Sequence, residues 1–335
     1  MTTAGITSND TPRIGQRSAN VMLRGLVLEH ASTNELIRSR DLSTGWVAGT
    51  GTVGAAENGP DGTSGARRLQ EDPGEYGPYQ TVGLDAGVWA YSHWHKDGAG
   101  GTSNGQTGLT GTTKEGLTFS AGPSFDRLEG ILRSGAASTT VVSLDGRDLG
   151  SLGYEGGIAA GARDVVLDHL QIEAGGVHTE AIVTTGTTAT RAGERLYLAD
   201  AGNVVTAGRL GLEVRFTPKG RSDLYPADMT VWYQDGTHKA VISATTRKLT
   251  VTVGAESYMF PVALGWEALD VIDLYVEVGN GAAWAMYRIN GADPVLLGES
   301  ADTHAALTAS GALDLCCEGT TKQLTSWIHT LRAYA

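Results

Sequence analysis

Basic residues, cysteine, phenylalanine and long apolar runs are all scarce in this chain of 335 residues, and each shortage excludes a class of protein. Lys and Arg number 25 against 37 Asp and Glu, a formal net charge of −12. The imbalance runs along the whole chain, with 13 basic and 21 acidic residues up to position 185 and 12 and 16 beyond it. Nucleic-acid binding draws most of its affinity from cations that neutralise phosphates, so no nucleic-acid partner is expected. The only cysteines, Cys316 and Cys317, are adjacent. That spacing is too short for an ordinary bridge and unlike the separated pairs that ligate zinc. Period-two geometry would turn the two thiols to opposite sides of one strand. No stretch of about 18 apolar residues occurs, and the N-terminus lacks the apolar centre of a signal peptide. Neither a membrane partner nor Sec export is expected.

What abounds is glycine, with 47 residues, about twice its usual share of roughly 7%. Thr, Val and Leu are also plentiful, a profile of many short strands joined by tight turns. The length corresponds to about two domains. The expected fold is therefore all-β, with two tandem antiparallel β-sandwich (jelly-roll) domains. Residues 1–20 are polar and aperiodic, and are read as an N-terminal arm that is either frayed or folded on a neighbouring molecule. The first sandwich is expected over 21–185, with strands at 25–29, 66–71, 79–83, 88–96, 116–120, 139–144 and 164–173. Residues 125–133 fit either a strand or one or two helical turns. Residues 97–116, DGAGGTSNGQTGLTGTTKEG, hold almost no apolar side chain and read as an exposed, mobile excursion. A Thr-rich hinge follows at 186–195, then the second sandwich at 196–335. There Leu210, Leu212, Val214 and Phe216 alternate with Gly211, Glu213, Arg215 and Thr217, as a half-buried strand requires.

Two sets of residues carry a family resemblance. Leu26, Val27, Leu28, Glu29, Thr33, Asn34 and Leu36 open the first sandwich, and Gln171, Ile172, Glu173, Thr190 and Arg191 close it. Together with the "DGT…A…L" element in PDGTSGARRL (60–69), they resemble a module of tailed-phage tail fibres and other virion-surface proteins. In that module a carbohydrate-binding-module-like jelly roll opens on a strand followed by Thr-Asn and closes on a "QxE" strand followed by Thr-Arg. The second sandwich is similar to concanavalin A-like or laminin G-like jelly rolls, most clearly at Trp284-Ala-Met-Tyr287-Arg-Ile-Asn290-Gly291 and at 326–332. Such motifs identify an architecture better than an activity.

Several side chains are candidates for chemistry. In VWAYSHWHK (88–96), period two puts Trp89, Tyr91, His93 and His95 on one face and Ala90, Ser92 and Trp94 on the other. The family resemblance makes the first set inward-facing, where histidine departs from the usual apolar residues. The His93/His95 pair fits hydrogen-bonded or interface histidines better than a metal site, because no third ligand stands nearby. Trp94 would then face outward, as a platform for a sugar ring or a buried contact in an oligomer. Tyr76 and Tyr79 sit in a Pro/Gly loop that can present rings. Trp232 and Tyr233 are neighbours on one strand, so one faces the core and the other does not. These five, with Asn290, are the candidate glycan ligands. A glycosidase needs two carboxylates about 5 to 10 Å apart, one with a raised pKa, and no such pair stands out. Nor is there a Gly-x-Ser-x-Gly elbow or a Glu-x-Asp-x-x-Glu strand, so no enzyme is expected. Related β-sandwiches hold a structural calcium, for which Glu29, Asn34, Asp41 and Asp168 are the candidate oxygen ligands; no other cofactor is expected.

The resemblance implies a spike, fibre or head decoration on a virion surface that binds host cell-surface polysaccharide. It would be a homo-oligomer whose weak sites act through copies, attached to other virion proteins by the arm. The alternative is a capsid or tail cement protein that binds no glycan.

Overall fold

A computed structural model describes residues 4–7, 26–111, 114–134, 137–199, 201, 205, 209–279, 282–300, 307, 311–318 and 324–334. Among them there is no α-helix, and the chain is built of antiparallel sheets, as its composition predicts. It divides into two compact units, one formed by Ser32–Arg191 and the other by Met1–Ala31 with Ala192–Ala335.

Strands β1 (Ala4–Thr7) and β2 (Leu26–Leu28) precede the first of these in sequence but belong to the other. The Ser32–Arg191 unit runs through β3 (Ser32–Asn34), β4 (Thr52–Asn58), β5 (Ser64–Glu71), β6 (Tyr79–Leu84), β7 (Gly87–Asp97) and β8 (Ser103–Thr110). It continues with β9 (Lys114–Ala121), β10 (Asp126–Ser134), β11 (Ala137–Val142), β12 (Arg163–Ala174) and β13 (Ala189–Arg191). A five-stranded sheet in the order β10-β7-β12-β5-β4 faces a four-stranded sheet, β6-β11-β8-β9, and β3 pairs with β13. The core between them holds Leu69, Trp89, Tyr91, Leu109, Phe119, Leu132, Val141, Leu167 and Ile172.

Along β7, Trp89, Tyr91, His93 and His95 are buried as expected; on the other face Trp94 is half-buried, but Ala90 and Ser92 are buried too. Residues 126–134 resolve as strand β10, paired with β7 along its length. The reading of 97–116 as an exposed excursion is overturned, because Ser103–Thr110 forms β8 with Gly105 to Leu109 buried. Its polar side chains are satisfied inside the unit. Gln106 accepts from the Ile158 amide and donates to the Arg147 carbonyl, and the Thr107 hydroxyl donates to the Val142 carbonyl. Glycine is needed here for close approach, since a Cβ on Gly105 would lie 2.2 Å from the Phe119 ring.

The motif that marks the unit in the sequence forms a buried polar network. A register shift in β12 between Asp168 and Gln171, with His169 at φ 49°, keeps Asp168, Gln171 and Glu173 on one face although two residues separate the first two. Asn34 has all four of its hydrogen-bonding positions engaged. Its Oδ1 accepts from the Leu36 and Ile172 amides at 3.1 Å each, and its Nδ2 donates to the Leu170 and Ile182 carbonyls at 3.0 Å each. Gln171 Oε1 accepts from the Ile182 amide at 2.6 Å. Glu173 accepts from the Ser32 hydroxyl at 2.7 Å and from the Thr179 amide and hydroxyl at 2.6 Å. Together they tie the first residues of the unit and the segment after β12 to its central strand.

The other unit adds β14 (Arg195–Leu198), β15 (Leu210–Pro218), β16 (Met229–Asp235), β17 (His238–Ile242), β18 (Lys248–Val253) and β19 (Glu256–Ala263). It ends with β20 (Ile272–Gly279), β21 (Ala282–Ile289), β22 (Val295–Ser300), β23 (Leu313–Leu315) and β24 (Ser326–Tyr334). A seven-stranded sheet, β1-β14-β23-β16-β17-β18-β19, and a six-stranded sheet, β2-β24-β15-β20-β21-β22, enclose Leu212, Val214, Phe216, Trp232, Phe260 and Leu274. The strand expected at 25–29 to open the first sandwich instead pairs, as β2, with β24. The boundary accordingly lies at residue 32 rather than 21. Glu29, buried beyond β2, receives the Lys219 ammonium, and its amide donates to the Glu194 carboxylate at 3.1 Å. Cys316 and Cys317 are free and buried just past β23, not within a strand, with Cys316 at φ 59°. Burial pushes the Cys317 thiol up to about 12.

The network around Asn34 should control the stability of its unit. Asn34→Leu would strand four buried backbone groups and is expected to cost at least ~3 kcal/mol. Thr33→Ala, which removes an exposed hydroxyl pair with Thr190, should cost under ~1 kcal/mol. Urea unfolding followed by tryptophan fluorescence measures both.

Candidate functional site: an aromatic sheet face and a tyrosine loop

Strict alternation on β20 buries Ile272, Leu274, Val276 and Val278 and leaves Asp273, Tyr275 and Glu277 half-buried on the outer face of the six-stranded sheet. Cross-strand register adds Glu213 and Arg215 from β15, Trp284, Met286 and Arg288 from β21, and Arg332 from β24 to that face. The rings of Tyr275 and Trp284 lie 4.6 Å apart at 34°, a tilted stack. One carboxylate oxygen holds both of them. Glu277 Oε2 accepts from Tyr275 Oη at 2.8 Å and from Trp284 Nε1 at 3.2 Å, while Arg209 grips Oε1. Burial would raise the Glu277 carboxyl, but the donors Arg209, Tyr275 and Trp284 hold it below the usual carboxylate range. The rings are thereby locked in place and their faces define the surface.

Beside them is a cleft of about 350 Å³ lined by Glu213, Asp273, Tyr275, Met286, Tyr287 and Arg288. Its carboxylates are paired with arginines. Arg288 Nε donates to Asp273 at 2.7 Å and Arg332 Nη1 donates to Glu213 at 3.1 Å. The result combines apolar ring faces with planar hydrogen-bonding groups, the combination that a sugar's C–H face and hydroxyls require. Trp284 and Tyr287 were already marked by the strand-turn motif. Tyr275 and Glu277 could have been found by reading DLYVEV for its outward face, since Asp, Tyr and Glu alternate with apolar residues there.

A second group lies in the Ser32–Arg191 unit. Tyr76 and Tyr79 are half-buried neighbours, with ring centroids 6.2 Å apart, and the Arg147 guanidinium covers Tyr76 at 4.5 Å. Arg147 is itself clamped by buried Asp145 through bonds of 2.9 and 2.6 Å. Beneath this loop Glu71 is buried, and burial followed by the neighbouring Glu75 and Asp145 carboxylates pushes its carboxyl up to about 8.

The remaining sequence candidates are dispersed. Trp94, half-buried, stands across from Arg127 on β10 and Asp168 on β12. Trp232 is closed in the core at 1% exposure, which removes it from any ligand surface, and Tyr233 is the half-buried neighbour. Asn290 is committed to its turn at φ 52°. Its Oδ1 accepts from the Val271 amide and its Nδ2 donates to Asp270, both at 2.8 Å. The four calcium candidates do not converge. Glu29 belongs to the other unit and already holds an ammonium, and the oxygen of Asn34 is filled by backbone amides. Asp168 is gripped by Arg40 through two bonds of 2.8 Å. Burial opposes ionisation of Asp41, but Ser43, Arg67 and Thr44 hold its pKa at about 2. Of the predicted arm, only 4–7 lie among the described residues.

Neither a scan against protein-family models nor a search of curated proteins gives a match. Among solved structures the chain is similar to one titled "Truncated AlyQ with CBM32 and alginate lyase domains", at 9% identity and a TM-score of 0.21, over 86% of this chain and 97% of that one. A likeness of that size carries no argument. What the fold itself defines is a two-unit β-sandwich protein with an open aromatic sheet face.

His93 and His95 are buried against Phe119, and Tyr91 Oη lies 2.9 Å from His93 Nδ1. Burial lowers both pKa values, for His93 helped by His95 and Arg127 and for His95 partly offset by the Ser120 carbonyl and Asp126. Because the folded pKa values lie below the unfolded ones, the stability these rings contribute is complete above about pH 6.5 and is lost as pH falls below it. Thermal melts should show stability declining from pH 7 to 5, by up to ~1.4 kcal/mol per pH unit per histidine. His93→Phe should flatten that decline.

Proposed function

We propose that the chain is a non-catalytic polysaccharide-binding protein whose primary site is the outer face of the six-stranded sheet. The observation that carries this reading is the Tyr275–Trp284 pair held by a single Glu277 carboxylate beside the cleft. Two rings of fixed orientation offer a stacking surface at little cost in side-chain entropy. The pairing of the carboxylates on this face supports the non-catalytic part of the reading. Glu277 is held ionised by three donors, and Asp273 and Glu213 are engaged by Arg288 and Arg332, so the face offers no evident proton donor for glycoside cleavage. The Tyr76/Tyr79 loop is the secondary candidate, with less ring surface open because Arg147 covers Tyr76.

Taken with the sequence resemblance, this supports a fuller reading. The protein would serve on the surface of a phage or phage-like particle, as a spike, fibre or head decoration, and bind host cell-surface polysaccharide through several copies. Linked weak sites raise avidity by about 10² to 10⁴ where geometry allows simultaneous engagement.

The test is co-sedimentation of the purified protein with capsulated host cells and with cells stripped of capsule. Wild type should pellet with the capsule, and Trp284→Ala should weaken binding roughly tenfold, the loss of ~1.4 kcal/mol expected of one stacking ring. Tyr76→Ala should have a smaller effect; the reverse ranking would move the site to the loop. Capsule-independent behaviour of the wild type would favour the cement protein.

A further inference from the structure

Glu71 is the one carboxyl group among the described residues whose two oxygens are both buried and without a hydrogen-bond partner. Its residue is 2% exposed. A buried carboxylate normally has an arginine, a lysine or several amides around it, because an isolated one is costly. Here the surroundings run the other way. The charges that act on it are two further carboxylates, Glu75 and Asp145, and both disfavour its ionisation. Arg163 stands directly across from Glu71 in the β5–β12 register, yet its guanidinium donates to the Ala159 and Asp145 carbonyls. Arg147 is spent on the Asp145 side chain.

The backbone is shaped around this carboxyl group. A Cβ on Gly51 would lie 1.8 Å from Glu71 Oε2 and 2.5 Å from Oε1, so only glycine lets that loop close over it. On the other side, the position a Gly77 Cβ would take is 2.9 Å from Glu71 Oε1, 2.9 Å from Ser143 Oγ and 3.2 Å from the Leu144 carbonyl oxygen. Oxygens from two separate segments, β5 and the chain after β11, thus face the same side of Gly77; Ser143 Oγ donates its proton to the Pro78 carbonyl and the Leu144 carbonyl accepts from the Gly77 amide, both at 2.8 Å, so each would ligate through a remaining lone pair. No third group completes a set of His, Cys, Asp or Glu ligands among the described residues. A soft or borderline metal such as zinc is therefore a poor fit. A hard cation bound through a carboxylate with hydroxyl, carbonyl and water oxygens is a good one.

We infer that Glu71 is the anchoring ligand of a calcium-type divalent cation seated beneath the Tyr76–Tyr79 loop, with Ser143 and backbone carbonyls of the surrounding segments contributing oxygens. The carboxylates of Glu75 and Asp145 supply the negative field that favours the ion. The site is distinct from Glu29, Asn34, Asp41 and Asp168, whose oxygens are already engaged. Binding would fix the segment that carries both tyrosines, and it does not depend on the glycan-binding reading.

The experiment uses the full chain, stripped with chelator and returned to calcium chloride, with thermal unfolding followed by circular dichroism. Wild type should gain several degrees in melting temperature at 1 mM calcium, about what ligand occupancy at 100-fold over the dissociation constant gives a domain of this size. Glu71→Gln, which keeps the side chain's shape, should gain nothing, and Ser143→Ala should gain less than wild type. Calorimetric titration of the wild type with calcium gives the same answer without relying on a variant's folding. An equal gain in wild type and Glu71→Gln would overturn the inference. So would a wild type that ignores calcium while its stability falls from pH 5 to 9 in a manner Glu71→Gln abolishes. That result would mean that the carboxyl group is kept neutral by a proton alone.

Discussion

The Ser32–Arg191 unit depends on satisfying polar groups in places where no water reaches. Asn34, Gln171 and Glu173 are buried side chains that act as substitutes for missing backbone ladders. At the β12 bulge the ladder to β7 is interrupted, and the segment that follows β12 has no strand partner over residues 175–184. Backbone groups in such a place must still be paired. Asn34 serves the Leu36 and Ile172 amides and the Leu170 and Ile182 carbonyls at once, which a strand could not do because its donors and acceptors point in fixed directions. Asn34, Gln171 and Glu173 are thus explained by architecture, their polar atoms being committed to the unit's own backbone and side chains.

The opposite arrangement governs the outer sheet face of the other unit. There, charged side chains lie half in water and pair across neighbouring strands, Arg288 with Asp273 and Arg332 with Glu213. Exposed pairs of this kind contribute little to stability. Their effect is local, since each fixes a carboxylate on the face that also carries the Tyr275–Trp284 ring pair. A surface so arranged contributes little to the stability of the fold.

Much of this was legible in the sequence, and the exceptions have physical causes. Alternation in β15 and β20 was plain because each strand has one wet and one dry face. β8 escaped notice because its buried residues other than Leu109 are Gly, Gln and Thr, and a strand that packs through close backbone approach carries little hydrophobic signal. β2 was seen as a strand but assigned to the wrong sheet, since three apolar residues fit either and only the partner strand decides. Trp232 and Tyr233 could not be separated by period alone, because which side of β16 faces the core depends on its partners in the other sheet; the tryptophan is the buried one. Tyr275 and Glu277 were visible as an outward stripe, but their convergence with Trp284 depends on cross-strand register, which one strand's sequence does not contain. The orphaned state of Glu71 is a statement about what surrounds it, and it has no local signature.

The placement of β2 has a consequence for biosynthesis. Its partner β24 is the last strand described, so the six-stranded sheet cannot be completed until residues 326–334 have left the ribosome. The unit between them has every one of its strands in hand long before that and can fold as an autonomous body during translation. The leading segment must meanwhile wait, its three-residue strand uncommitted, for a partner some three hundred positions downstream. Pairings of such long range are slow to form. Newly made molecules therefore pass through an interval in which one sheet edge and one short strand are both open. During that interval the two need not come from the same polypeptide, so neighbouring chains emerging from one message are positioned to exchange them.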